Sequence, residues 1–239
     1  KSKRSHATNS PMDTAEAQAL REASARGDTE ALRALQSRGL SLPGACWDAA
    51  LAWAVFAGQL RAAQWLVHQG ADVNSVDGRG RTPAHWAAHM GHLHVLQWLL
   101  GQGADPQRAE EAAPHFSPLD LAVWKGRLDV LGWLCEGTHG HYHPEVHAPM
   151  LRHIHTRPQL CRAAAAGHAD VARWLLSRGA PADDVDERGC TPLRHAAARR
   201  SLPLAAALVD SGARLARLPP AALAELVCEA ARAGDAGLL

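Results

Sequence analysis

The sequence predicts an all-α protein, a solenoid of stacked antiparallel helix pairs joined by extended turns, and three observations carry that expectation. Ala and Leu, at 49 and 31 residues, make up a third of the 239, whereas Ile, Val and Thr together number 20. Strands draw on β-branched residues and helices on Ala and Leu, so a sandwich or barrel is excluded. A second observation is internal repetition: Gly91-His92-Leu93-His94-Val95-Leu96-Gln97-Trp98-Leu99-Leu100 shares its pattern with the segments opening at Gly126 and Gly167. The opening mark falls at Gly27, Gly58, Gly91, Gly126, Gly167, Arg200 and Gly234, at intervals of 31, 33, 35, 41, 33 and 34 residues. Periods in that range belong to repeat architectures. The third observation is regular punctuation by Thr-Pro or Ser-Pro pairs and by glycine.

Taken in order, residues 1–14 are polar and basic and read as a flexible tail, and residues 15–239 read as a single repeat domain. Each unit opens with a short Ala-rich helix. Thr82-Pro83, Ser117-Pro118 and Thr191-Pro192 place a hydroxyl at the N-cap and a proline in the first turn, where a missing N–H is of no consequence. The glycine at the mark ends this helix through a left-handed C-cap. A second helix, apolar at i, i+3 and i+4, then runs to Leu99-Leu100 or Leu175-Leu176. Gly70, Gly103, Gly179 or Gly212 ends it, and a turn such as Ala71-Asp72-Val73-Asn74 leads to the next pair. The 41-residue interval holds a His-rich insertion at about 137–157, and an abbreviated last repeat starts at about 220. That last unit has a first helix over 225–233 and no full second helix, as an abbreviated cap or the edge of a longer chain would. Trp65, Trp98, Trp133 and Trp174 share one position in second helices, and Trp53 and Trp86 share one in first helices. Both sets are expected in the core, with Trp47 and Trp124 outside the register.

On these residues the chain resembles the ankyrin-repeat family, whose period is 33 and whose signature is T-P-L-H-x-A. Thr82-Pro83-Ala84-His85-Trp86-Ala87-Ala88, Ser117-Pro118-Leu119-Asp120-Leu121-Ala122 and Thr191-Pro192-Leu193-Arg194-His195-Ala196-Ala197 carry the likeness. The turns Gly70-Ala71-Asp72-Val73-Asn74 and Gly103-Ala104-Asp105-Pro106 and the turn openings Asp77-Gly78-Arg79-Gly80 and Asp186-Glu187-Arg188-Gly189 add to it. It covers six repeats and a partial seventh. Only His85 holds the signature histidine position; Ala52, Asp120, Cys161, Arg194 and Cys228 stand elsewhere, so the side-chain tie made there is expected to be mostly absent.

The resemblance implies a protein-interaction module, an adaptor or scaffold, that binds a protein partner through a concave surface of turn tips and first helices. The alternative it allows is the substrate-recognition or targeting portion of a larger protein. Its variable positions become candidate partner-binding residues: Phe56; Arg79, Arg81, His89 and Met90; Phe116, Trp124 and Lys125; and Glu187, Arg188 and Arg199. Arg, Trp, Phe and Met are enriched at interface cores, and Arg79, Arg81, Met90, Phe116 and Trp124 form the leading cluster. Leu66, Asp72, Val73 and Asn74 are similar to the acceptor pattern for asparaginyl hydroxylation in ankyrin repeats, making Asn74 a candidate for modification. The same residues also suit a well-formed inter-repeat turn.

Charge and composition narrow the partner. Residues 13–150 hold 10 basic and 15 acidic residues and residues 151–217 hold 11 and 6, so an acidic segment of a partner would face residues 151–217. A net charge of +1 falls short of the basic footprint of nucleic-acid binders. No apolar run has the length of a membrane span. The five cysteines are widely spaced and form no C-x-x-C pair, as expected of a reducing intracellular compartment, cytoplasmic or nuclear. His139, His141, His143 and His147 in the insertion are candidate metal donors, though a Gly- and Pro-bearing segment lacks the fixed geometry such a site needs. No cofactor is implied. Catalysis is not expected either: no nucleophile elbow, zinc-protease helix or phosphate loop occurs, and His85, Asp77, Asp120 and Cys161 sit at positions of the repeat frame.

Overall fold

A computed structural model describes residues 15–38, 44–106, 116–136 and 158–233. The described residues form helices and turns and contain no strand. The tail at 1–14 and the insertion at 137–157, with its four candidate histidines, lie outside them.

The chain divides into two compact units, residues 1–118 and 119–239. The first holds three helix pairs: α1 (Ala15–Arg26) with α2 (Thr29–Ser37), α3 (Gly44–Phe56) with α4 (Leu60–His68), and α5 (Pro83–Met90) with α6 (Leu93–Gly101). The second opens within α7 (Pro118–Lys125), which pairs with α8 (Leu128–Glu136). The pairs α9 (Gln159–Ala166) with α10 (Ala169–Ser177) and α11 (Pro192–Ala198) with α12 (Leu202–Asp210) follow, and α13 (Pro220–Ala233) comes last.

The repeat frame explains the packing. Eight residues after the mark, Leu66 and Leu99 in the first unit and Leu134, Leu175 and Leu208 in the second are fully buried. Each such burial stabilises by about 1.5–3 kcal/mol relative to exposure. Four residues before the mark stands an alanine every time, at Ala54, Ala87, Ala122, Ala163 and Ala196, again with no exposed surface. A larger side chain at these places would hold the first helix off its neighbours.

Helix ends follow the expected chemistry. Thr191 Oγ1 accepts from the Arg194 N–H at 3.2 Å. At α5 the arrangement is reciprocal: His85 Nδ1 accepts from the Thr82 N–H at 3.0 Å and lies 2.8 Å from the Thr82 hydroxyl. His85 Nε2 then donates to the Phe116 carbonyl at 3.0 Å, which places the imidazole proton on Nε2.

The tie at the signature histidine position is more widespread than the sequence suggested, because other side chains replace the imidazole. Asp120, fully buried, accepts from Gln159 Nε2 at 2.5 Å and is ion-paired with Arg162. Cys161 Sγ lies 3.5 Å from the carbonyl oxygens of Asp184 and Cys190. A carboxylate facing a guanidinium and a thiol facing carbonyls each satisfy the seam that histidine satisfies at α5.

A second kind of tie runs from the start of a second helix to the first helix of the preceding pair. His92 Nε2 donates to the Phe56 carbonyl at 3.1 Å, and His168 Nε2 to that of Trp124 at 2.9 Å. The glycine before each tie has two duties. Gly58 and Gly126 have φ of 72° and 71°, and a Cβ there would come within 2.7 Å of the His92 ring and 2.6 Å of the His168 ring. At the same place in the frame Arg200 holds φ 54°, in a region where an L side chain costs about 1–2 kcal/mol.

Two substitutions test this frame by chemical denaturation. Gly58→Ala is expected to destabilise by about 2 kcal/mol, from left-handed strain plus the clash with His92. Arg200→Gly is expected to stabilise by about 0.5–1 kcal/mol, the relief of strain being partly offset by the freer unfolded chain.

Candidate functional site

In the first unit the first helices α3 and α5 and the turn between α4 and α5 enclose a groove of about 480 Å³. Trp53, Phe56 and Trp86 supply its aromatic wall, Asp48, Asp77 and Arg81 its charged rim. The rings interlock edge to face: Trp53 to Phe56 at 5.8 Å between centroids, Phe56 to Trp86 at 5.4 Å, and Trp86 onward to His89 at 5.9 Å. Such contacts add about 0.5–1.5 kcal/mol each beyond burial and fix the ring planes.

The turn beneath the groove is organised by one carboxylate. Asp77 Oδ1 accepts from the N–H groups of Arg79 at 2.8 Å and Arg81 at 3.1 Å, and the Asp77 N–H donates to the Arg81 carbonyl at 3.0 Å. Its outer oxygen, Oδ2, takes Nε and Nη2 of Arg81, both at 2.9 Å. So held, the guanidinium lies over the Trp86 ring, 4.0 Å from the centroid. Burial pushes the Asp77 carboxyl up, but the two backbone N–H groups and the guanidinium outweigh it and hold it below its ordinary value.

The expected residues distribute as follows. Phe56 and Arg81 line the groove, and Arg79 projects from the same turn, exposed. His89 and Met90 are half-buried on α5, and Phe116 is half-buried with its carbonyl engaged by His85. Trp124 and Lys125 are exposed at the end of α7, in the second unit, and Trp124 is 42% accessible. Glu187 and Arg188 are exposed on the turn before α11. Arg199 is also exposed, its Nε donating to the Ala165 carbonyl. Asn74 bridges two turns: its Nδ2 donates to the Gly103 carbonyl and its Oδ1 accepts from the Asp105 N–H, both at 3.0 Å.

One expectation needs correcting. Trp53 and Trp86 are not a buried pair: Trp53 is 44% accessible and Trp86 is half-buried, and both face the groove. Their place in the repeat, five residues before the mark, is held in later repeats by Leu121, Arg162 and His195. Leu121 is buried there, but Arg162 and His195 are only half-buried, so the position varies from copy to copy and is not a uniformly interior one. The expectation does hold for Trp133, which is buried, while Trp65, Trp98 and Trp174 are half-buried. Trp47, outside the register, packs on Trp65 with centroids 6.0 Å apart.

His85, Asp77, Asp120 and Cys161, the frame residues with chemistry-bearing side chains, have structural duties. His85 and Asp120 are buried and committed to the ties already described, and burial pushes the Cys161 thiol up to about 12, which keeps it protonated. Among the described residues no helix is long and apolar enough to cross a membrane.

Comparison with known proteins agrees with this architecture. A family model of ankyrin repeats in three copies matches residues 51–145, and another of ankyrin repeats in many copies matches residues 160–209. The crystal structure of the human ASB11 ankyrin repeat domain superposes with a TM-score of 0.63 at 25% identity, over 88% of this chain and 96% of that one.

The Asp77 turn gives a pH prediction. Because its folded pKa is depressed, the stabilisation from this carboxylate is complete above the ordinary aspartate range and is lost as pH falls through the folded value. The Trp86 indole resonance is expected to shift in a titration whose midpoint lies below the ordinary aspartate pKa as Arg81 leaves the ring. Asp77→Asn is expected to abolish that step.

Proposed function

Because the chain belongs to the ankyrin-repeat family, we propose that it is a protein-interaction module, an adaptor or scaffold, that seats an apolar side chain of its partner in the groove between α3 and α5. Repeats of this family serve generally in protein recognition. The observation that carries the proposal is an open tryptophan, Trp53, set on rings that already hold one another in place beside a fixed guanidinium. Trp and Arg dominate binding hot spots, and a rigid aromatic wall loses little conformational freedom on association. In this reading Phe56 and Arg81 shape the groove and Arg79 lies at its rim.

Charge in the second unit supports an acidic segment in the partner. Residues 151–217 carry 11 basic and 6 acidic residues, and Arg188, Arg194, Arg199 and Arg200 are all exposed there. Trp124 and Lys125 are the further contact candidates in that unit. A second reading, the recognition portion of a larger protein, draws support from the ASB11 match, which is itself described as a domain.

The test starts from partners recovered by affinity purification on the intact chain. Trp53→Ala is expected to weaken binding by tenfold or more, on the order of the 2 kcal/mol that marks a hot spot. Unchanged affinity together with an unchanged circular dichroism spectrum would sink the groove assignment.

A further inference from the structure

The turn before α11 repeats the hydrogen bonds of the Asp77 turn, with two exchanges of side chain. Asp186 Oδ1 accepts from the N–H groups of Arg188 at 2.9 Å and Cys190 at 2.8 Å, and the Asp186 N–H donates to the Cys190 carbonyl at 3.0 Å. In the first turn the outer oxygen of the aspartate receives a cation, the Arg81 guanidinium. In the second, Cys190 stands in the place of Arg81 and His195 in the place of Trp86. His195 Nε2 lies 2.8 Å from Asp186 Oδ2, and one ligand atom from each of Asp186, Cys190 and His195 falls within 4.8 Å of the other two. All three residues are half-buried.

We propose that Asp186, Cys190 and His195 form a binding site for a single Zn²⁺ ion, which supplies the positive charge that Arg81 supplies in the other turn. The donor set selects the ion. A thiolate, an imidazole and a carboxylate together suit Zn²⁺, whereas Mg²⁺ and Ca²⁺ take oxygen ligands alone. Bonds of about 2.0–2.3 Å at tetrahedral angles place donor atoms about 3.3–3.6 Å apart, so the His195–Asp186 contact opens by about half an ångström. Two of the three donors sit on a turn already closed by its own hydrogen bonds, and the third is on the helix that follows it. Asp184 and Glu187 flank Asp186 along the chain and add negative charge, while the charge of Asp183 is already met by Arg214 and Arg217. On binding, the Cys190 thiol gives its proton to solvent, and His195 gives up the Nε2 proton that it donates to Asp186 and carries its remaining ring proton on Nδ1. The fourth position on the ion is left for water or a donor from the bound partner.

Co²⁺ is the probe, because a thiolate bound to it gives a charge-transfer band in the near ultraviolet. The whole chain is reduced and carries His139→Ala, His141→Ala, His143→Ala and His147→Ala, which removes the other candidate donors. Titration is expected to raise the band to a plateau at one Co²⁺ per chain, with Zn²⁺ displacing it. Cys190→Ser is expected to abolish the band, and His195→Gln to weaken Co²⁺ binding by about tenfold or more. No band in the parent chain would overturn the proposal, as would a band that survives Cys190→Ser or an affinity unchanged in His195→Gln. Circular dichroism confirms that each variant is folded, and the thermal midpoint gives an independent reading: Zn²⁺ is expected to raise it in the parent chain and not in Cys190→Ser.

Discussion

Everything in each unit depends on one helix pair lying close enough to the next for a side chain to reach a backbone carbonyl across the seam. That separation is set by residues that have almost no side chain. The alanines four places before each mark let the first helices approach, and Gly58 and Gly126 leave room for an imidazole where a Cβ would collide with it. Once the distance is fixed, the rest follows: the leucines of the second helices are sealed from water, and the carbonyls of Phe56 and Trp124 are satisfied by His92 and His168. In a solenoid each repeat touches only its neighbours, so its cohesion is the sum of such seams.

A scaffold fixed this firmly can vary elsewhere without cost to the fold, and the position five residues before the mark shows it. Trp53 and Trp86 there make the wall of a groove, Arg162 neutralises the buried Asp120, and His195 meets the carboxylate of Asp186. One place in the repeat thus lines a groove, closes a seam and stands in a candidate metal centre in different copies. The Asp77 and Asp186 turns are alike for the same reason. Each carboxylate spends one oxygen on closing its own turn, and the other is free to take whatever the next side chains offer.

Most of the fold was legible because the signals are local. A hydroxyl before a proline announced the starts of α5 and α11, and the mark glycines announced the ends of first helices, since both depend on residues a few places apart. The candidate site was legible only in part. Phe56 and Arg81 came from a position in the frame, but the contacts that make them a site did not: Arg81 lies on Trp86 because Asp77 folds its turn back, and no spacing rule states that. Trp53 and Trp86 share a repeat position, and a shared aromatic reads as interior, yet the position faces the groove because the turn before α5 leaves it open. The partnership of Asp120 with Arg162 joins residues separated by an insertion, and pattern alone gives no way to pair them.

The buried carboxylate of Asp120 has a consequence for assembly. A chain of near-copies has an unusual hazard, since any helix pair presents a passable face to any other and a mis-stacked arrangement buries nearly as much apolar surface as the right one. Hydrophobic contact cannot tell these arrangements apart. A negative charge with no access to water can, because among the first helices that could be laid against α7 within this unit only α9 brings both an arginine and a glutamine to meet it. A neighbour without such groups would leave the charge unanswered, at a cost of about 3–5 kcal/mol. Asp120 therefore adds to the α7–α9 seam a requirement that apolar contact alone does not impose: a partner that brings charge and a hydrogen-bond donor to one buried point.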